Sequence, residues 1–189
     1  GDVIALTGAE AKHAAVVRRV RVGETVTLGD GRGTWLEGVV DDVAAARVTV
    51  RIGSRRSHEA PASRIVLAQA LAKGDRDELA VQAACELGVD EVVPWQAARS
   101  VSRWEGPKAA KGRERWASIV REAAKQAHRA WIPEVAEVET TSKLAARAAD
   151  ARMLVLDPWT DTPLTGIRPD GRDIVLVVGP EGGIAPEEL

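Results

Sequence analysis

An apolar stretch, Leu176-Val177-Val178, runs directly into Gly179-Pro180-Glu181-Gly182-Gly183, and a new helix start follows at Pro186-Glu187-Glu188. Glycines let a backbone approach a ligand closely and adopt positive φ. Backbone N–H and C=O groups in such a turn can read an adenine edge or a ribose, and the Glu181 carboxylate can accept from hydroxyls. The loop lacks the Gly-x-Gly-x-x-Gly spacing of a dinucleotide fold and the Gly-Lys-Ser/Thr of a P-loop. Its chemistry suits one wall of a cofactor pocket at the carboxyl end of a strand, not a phosphate cradle. The pattern alone fits a plain strand-to-helix turn equally well.

Three other stretches carry charge in useful places. Lys73 and Arg76 follow the apolar run ending Ala70-Leu71, where a helix N-terminus favours anions such as phosphate. The simpler reading there is a solvated helix start capped by Asp75. From Arg99 to Arg129 the cations Arg99, Arg103, Lys108, Lys111, Arg113, Arg115, Arg121, Lys125 and Arg129 face only Glu105, Glu114 and Glu122. Arg121, Lys125 and Arg129 recur every four residues and share a helix face. A helix C-terminus that suits cations explains Lys125 and Arg129 but not Arg99 or Arg103, so phosphate contact and salt-sensitive RNA binding are expected. Near the start, His13 and Arg18 sit on a short helix pattern from which they can touch RNA. A lone histidine there is more often structural, and no partner in sequence makes it a base.

The elements that must position these residues follow from the rest of the chain. Its 189 residues suffice for one ordinary domain or two small ones. The aromatic set is unusual, with Trp 6, Phe 0 and Tyr 0, so the core must be Val, Leu, Ile and Ala. Net charge is −2, which leaves a basic face as a local feature only. The single cysteine, Cys85, excludes an internal disulfide and a cysteine metal site, and its apolar helix pattern makes it packing. No metal is expected. No apolar run reaches membrane-spanning length and no signal peptide is visible, so a cytoplasmic location is expected.

Residues 1 to about 60 read as a small β-rich unit with one helix, Gly8 to Val20, and strands at 25–28, 34–40 and 47–52. Ser54 to Ser63 is polar and reads as a linker. From residue 64 strands and helices alternate: strands at 64–71, 90–95, 135–138, 152–156 and 173–178, and helices at 75–87, 107–130 and 141–151. Gly88 closes the first of these helices. Continuous apolar strands between helices argue for a parallel sheet covered on both faces.

Several pieces then match one family in order: His13 with Val17-Arg18-Arg19 and Gly23; Gln69-Ala70-Leu71 with Lys73; Glu86-Leu87-Gly88-Val89; Arg99-Ser100-Val101; Glu122-Ala123-Ala124-Lys125-Gln126 with Arg129 and Ile132-Pro133; and Val178-Gly179-Pro180-Glu181-Gly182-Gly183. Across essentially its whole length the chain resembles the RsmE family of 16S ribosomal RNA uridine-N3 methyltransferases, in the SPOUT superfamily. The resemblance implies an α/β protein in two domains. Residues 1–60 would form a PUA-like β-barrel that binds RNA. Residues 64–189 would form a parallel α/β domain of the trefoil-knot type that binds S-adenosylmethionine. By the same resemblance Val178, Gly179, Pro180, Glu181, Gly182 and Gly183 would line the cofactor pocket, with Leu156 on the neighbouring strand end. His13, Arg18, Arg19, Lys73, Arg99 and Arg129 would contact RNA, joined by Arg103 and Lys125 from the basic segment. The partner would be 16S ribosomal RNA in the small subunit, and the enzyme a homodimer.

The chain departs from the family pattern at Ala72, where proline is usual, and at Asp157, which stands where a histidine-containing stretch often follows the strand. The family also continues past the glycine loop with a Leu-Gly-x-Arg-x-Leu-Arg motif and a closing helix, so an incomplete knot and pocket are expected of these residues alone. The implied reaction is attack of uridine N3 on a sulfonium methyl, with loss of the weakly acidic N3 proton from an unpaired base. Arg99 or Lys73 would stabilise the uridine anion. The sequence identifies no base, with His13 and Glu181 as the candidates. Two alternatives stand beside this: the same fold acting on another RNA, and a non-catalytic RNA-binding module of ribosome assembly.

Overall fold

The computed structural model describes residues 2–189, which separate into one unit ending at Ala60 and a second beginning at Pro61. The first unit is a four-stranded antiparallel sheet in the order β1-β4-β3-β2, built from β1 (Val3–Thr7), β2 (Thr25–Gly29), β3 (Thr34–Ala44) and β4 (Arg47–Ser57). Alternation puts Val48, Val50 and Ile52 of β4 on one face, where they meet Val40, Leu6, Val26 and Leu28.

Three expectations change here. β1 was not read from the sequence, because Val3-Ile4-Ala5-Leu6 shows no polar alternation; it forms by pairing with β4. β4 runs on to Ser57, so Ser54–Ser57 belongs to the sheet and not to a linker. The helix is shorter than Gly8 to Val20: α1 (Gly8–Lys12) passes into a single π-helical turn, His13–Val17, closed by the Arg18 N–H on the His13 carbonyl at 2.9 Å. Arg19 then takes a positive φ of 53°, which ends the turn.

The second unit is a parallel sheet in the order β7-β6-β5-β10-β9. Its strands are β5 (Ile65–Ala70), β6 (Glu91–Gln96), β7 (Glu134–Val135), β8 (Glu139–Thr140, also on β6), β9 (Arg152–Val155) and β10 (Ile174–Val178). Helices α2 (Arg76–Leu87) and α3 (Pro107–Gln126) cover one face. There Leu67, Val92, Val81, Cys85, Trp116 and Val120 form one core. Helix α4 (Thr141–Ala146) covers the other, where Val66, Ala68, Trp95, Val175, Val177 and Leu144 form a second. The expected single strand at 135–138 is two short bridges to β6, and α3 stops at Gln126, before the expected end. The helix start at Pro186 is one 3-10 turn, Pro186–Glu188. Among the described residues no helix is long and apolar enough to cross a membrane.

Two side chains fix how the helices meet the sheet. Trp104 lies edge-on to Trp116, ring centroids 5.0 Å apart, and its indole presses on α3 at Gly112. Arg129, just beyond α3, reaches back to the end of α2. Its guanidinium donates to the carbonyls of Cys85 (3.1 Å) and Val89 and to the Asp90 carboxylate (3.3 Å). Asp90 in turn accepts the Ile65 N–H at 2.9 Å. A helix C-terminus leaves its last carbonyls without intrahelical partners; the Gly88 and Val89 N–H groups meet those of Ala84 and Cys85, and Arg129 adds a second donor at Cys85. Its side chain is 14% exposed, and these contacts give it a structural role. At the amino edge of the strands Glu91 pairs with Arg64 and with Arg147 (2.8 Å), and Arg147 with Glu139 (2.8 Å).

Two stability measurements follow. A Cβ at position 112 would stand 2.4 Å from the Trp104 ring. Gly112→Ala is expected to lose about 1–2 kcal/mol in urea unfolding, because overpacking outweighs the gain of about 1 kcal/mol in helix propensity. A stabilised variant would refute the contact. Arg129→Ala is expected to cost about 1–3 kcal/mol by removing the donors to the Asp90 carboxylate and the Cys85 and Val89 carbonyls, with Arg129→Lys recovering only part because it lacks the planar fork. Unchanged stability with weakened RNA binding would return Arg129 to the RNA surface.

Candidate functional site

All the parallel strands of the second unit point their carboxyl ends the same way, so the turns after β5, β6, β9 and β10 share one edge of the sheet. Gln69 of β5 stands in register with Val178 of β10 and with Pro94 of β6. The Leu156 N–H, just past β9, donates to the Val177 carbonyl at 2.9 Å. Residues far apart in sequence are thereby brought onto neighbouring strand ends.

The glycine loop after β10 is held from three directions. The Lys73 N–H donates to Glu181 Oε1 at 3.0 Å, and the Arg76 guanidinium approaches the same oxygen at 3.4 Å. Arg99 Nη1 donates to the Gly182 carbonyl at 3.1 Å. Glu188 Oε1 accepts the Ala98 N–H (2.9 Å) and the Thr141 hydroxyl (2.6 Å), and Thr141 Oγ1 accepts from the Trp95 indole at 3.1 Å. Glycine is required at 179, where a Cβ would lie 2.6 Å from the Ile184 side chain, and at 183, where φ is +74°. A turn bond from the Gly183 N–H to the Pro180 carbonyl, 2.9 Å, closes the loop.

The electrostatics agree with this geometry. The Glu181 carboxyl lies below the usual carboxylate range, through its own N–H, then the Lys73 N–H, then the charges of Arg76 and Lys73. Asp77 goes the other way: burial pushes its carboxyl up, while the N–H groups of Ala72 and Glu78 pull it back. Asp77, not Asp75, therefore receives the backbone at the start of α2; the Asp75 side chain makes no capping bond. The Cys85 thiol is pushed up by burial and donates to the Val120 carbonyl, which makes it an inert core group.

Of the other expected site residues, Lys73, Arg99 and Arg103 are exposed at this edge and in the loop that follows β6. Lys125 pairs with Glu122 at 3.4 Å on the α3 surface. His13 is half-buried at the head of the π-helical turn of the first unit, and Arg18 and Arg19 are exposed beyond it. Leu156, 40% exposed, lines a cleft of about 600 Å³ with Asp157, Pro158, Thr160, Thr162 and Leu164. The glycine loop is not part of that lining. Sequence reading missed the clamp residues Glu188 and Thr141, which carry no motif of their own. It also missed the burial of Gln69 and Ser100, whose Oε1 and Oγ lack a hydrogen-bond partner among the described residues. No group of three His, Cys, Asp or Glu among the described residues is placed to hold a metal.

Comparison with known proteins identifies both units. The family model for an RNA methyltransferase PUA domain matches residues 6–53, and that for an RNA methyltransferase domain matches residues 58–189. The ribosomal RNA small subunit methyltransferase E of Mycobacterium bovis is 42% identical, covering 100% of this chain and 74% of its own length. The protein of the same name from Bacillus subtilis is 30% identical, covering 97% and 76%. A crystal structure of ribosomal RNA small subunit methyltransferase E from Neisseria gonorrhoeae, bound to S-adenosyl methionine, is 28% identical with a TM-score of 0.88, covering 100% of this chain and 78% of that one. On this likeness over its whole length, the chain belongs to the RsmE family of RNA methyltransferases.

Proposed function

We propose that this protein transfers a methyl group from S-adenosylmethionine to a uridine N3 of the small-subunit ribosomal RNA. One observation carries the reading. In a chain whose relatives methylate small-subunit ribosomal RNA by name, the glycine loop is held rigidly at the carboxyl edge of the parallel sheet. The residues present would supply one wall of the cofactor site. Val178, Gly179, Pro180, Glu181, Gly182 and Gly183 would present their backbone at the carboxyl edge of the sheet, and Leu156, on the neighbouring strand end, lines a separate cleft of about 600 Å³. Bound there, S-adenosylmethionine supplies an electrophilic methyl on a sulfonium centre.

The chain's own residues do the rest. Lys73, whose charge acts on Glu181, and Arg99, whose guanidinium holds the Gly182 carbonyl, bring positive charge to the glycine loop, where a uridine deprotonated at N3 is stabilised. Residues 1–60 bind RNA, with His13, Arg18 and Arg19 against the phosphate backbone, and residues 64–189 carry the reaction. Arg103 and Lys125 extend the basic surface; Arg129 does not, since it is committed to Asp90 and the end of α2. The working enzyme is a cytoplasmic homodimer with the active site near the subunit interface.

Undermethylated small subunits incubated with the protein and S-adenosylmethionine are expected to yield 3-methyluridine on nuclease digestion and mass spectrometry. Methylation at another base atom, or of transfer RNA instead, would overturn the acceptor assigned here. Arg99→Ala is expected to lower kcat by about 10²–10³ if it stabilises the developing anion. Arg18→Ala with Arg19→Ala is expected to raise the KM for RNA and to flatten the log-affinity against log-salt slope by about 1 per lost phosphate contact. An unchanged slope would remove the first unit's arginines from the interface.

A further inference from the structure

We infer that Glu181 is a positioning residue: its carboxylate latches the cofactor loop onto the turn between β5 and α2, and it does not take the N3 proton. The inference rests on the methyltransferase reading and assigns the one ionisable side chain of the loop. A general base must aim a free lone pair at the proton it abstracts. Both contacts of Glu181, to the Lys73 N–H (3.0 Å) and the Arg76 guanidinium (3.4 Å), fall on Oε1 and turn the carboxylate toward the β5–α2 turn. Those contacts, with its own N–H, hold the carboxyl low and make it a poor base toward a weakly acidic N–H.

The same contacts make it a good latch. Hydrogen bonds to an ionised group are roughly twice as strong as neutral ones. Beyond the β10–β5 ladder, which ends at Val178 opposite Gln69, Glu181 is the one residue of the loop with a polar side chain. Gly179, Gly182 and Gly183 lack side chains, and Pro180 has neither a side-chain polar group nor an N–H. On the β6 side the grip comes from Arg99 on the Gly182 carbonyl and from Glu188 on the Ala98 N–H. Glu181 thus supplies the opposite side, fixing the loop before the cofactor arrives. Its loss raises the ordering cost of cofactor binding. Because the bond lands on the backbone of Lys73, the latch also orders the turn that carries a candidate RNA contact.

Glu181→Gln keeps an acceptor oxygen and loses the charge; Glu181→Ala loses both. Three readouts apply: amide hydrogen exchange at Lys73, the Kd for S-adenosylmethionine by calorimetry, and the pH profile of kcat at saturating cofactor. In Glu181→Ala, Lys73 exchange and Kd are each expected to rise about tenfold or more, with a smaller change in Glu181→Gln. In both, the acidic limb of the kcat profile stays in place, whereas removing a true base abolishes that limb and costs about 10²–10⁴. A Glu181→Gln enzyme that loses about a hundredfold or more in kcat, together with its acidic limb, would overturn the inference. So would unchanged Lys73 exchange and Kd in Glu181→Ala. If the wild type neither binds S-adenosylmethionine nor transfers methyl, the methyltransferase reading fails, and the latch is then decided by the Lys73 exchange alone.

Discussion

Parallel pairing of β10 between β5 and β9 is the constraint on which the site depends. A parallel ladder sends every following turn to the same edge, and one-residue steps in register would flip the facing side chains. Val178 opposite Gln69, and Val177 opposite Val155, put Gly179 beside the turn at Lys73 and beside Leu156. The hydrogen bond from Lys73 to Glu181 spans 108 residues of sequence, and only this register brings its ends together. Burial on both faces enforces the register, since Val175 and Val177 face one core while Val178 packs against the other.

Charge in the second unit divides by edge. At the amino ends of the strands, Glu91, Arg64, Arg147 and Glu139 close on one another, and Arg129 closes on Asp90. At the carboxyl ends Lys73, Arg76, Arg99 and Glu181 stay solvent-facing and hold mainly backbone or one another. Paired charges under the sheet fix the scaffold. Solvent-facing cations above it remain able to meet an anionic partner.

Much of this was legible in the chain. The apolar runs at 65–70 and 174–178 read as buried strands because burial on both faces demands unbroken Val, Leu, Ile and Ala. The glycine loop read as a turn at a strand end, open between a ligand wall and a plain connection, and Cys85 read as packing. Other features were hidden because they depend on distant partners. β1 exists only as an edge on β4, and the two-residue strands β7 and β8 exist only against β6. Asp75 has the right residue type for a cap, but the Ala72 N–H falls within reach of Asp77.

The sequence by itself determined the two-unit α/β architecture and the position of the glycine loop at a strand end, because hydrophobic periodicity and glycine placement are local properties of the chain. It also marked a basic segment, without separating its members. Tertiary structure decided which cations serve the scaffold: Arg129 sits four residues beyond Lys125 in the same basic segment, yet it turns back onto the Cys85 and Val89 carbonyls and the Asp90 carboxylate. It likewise decided that Glu181, though solvent-facing, meets Lys73 and Arg76. Hydrogen-bond partners and desolvation are set by which segments meet in space, and no local pattern encodes that meeting.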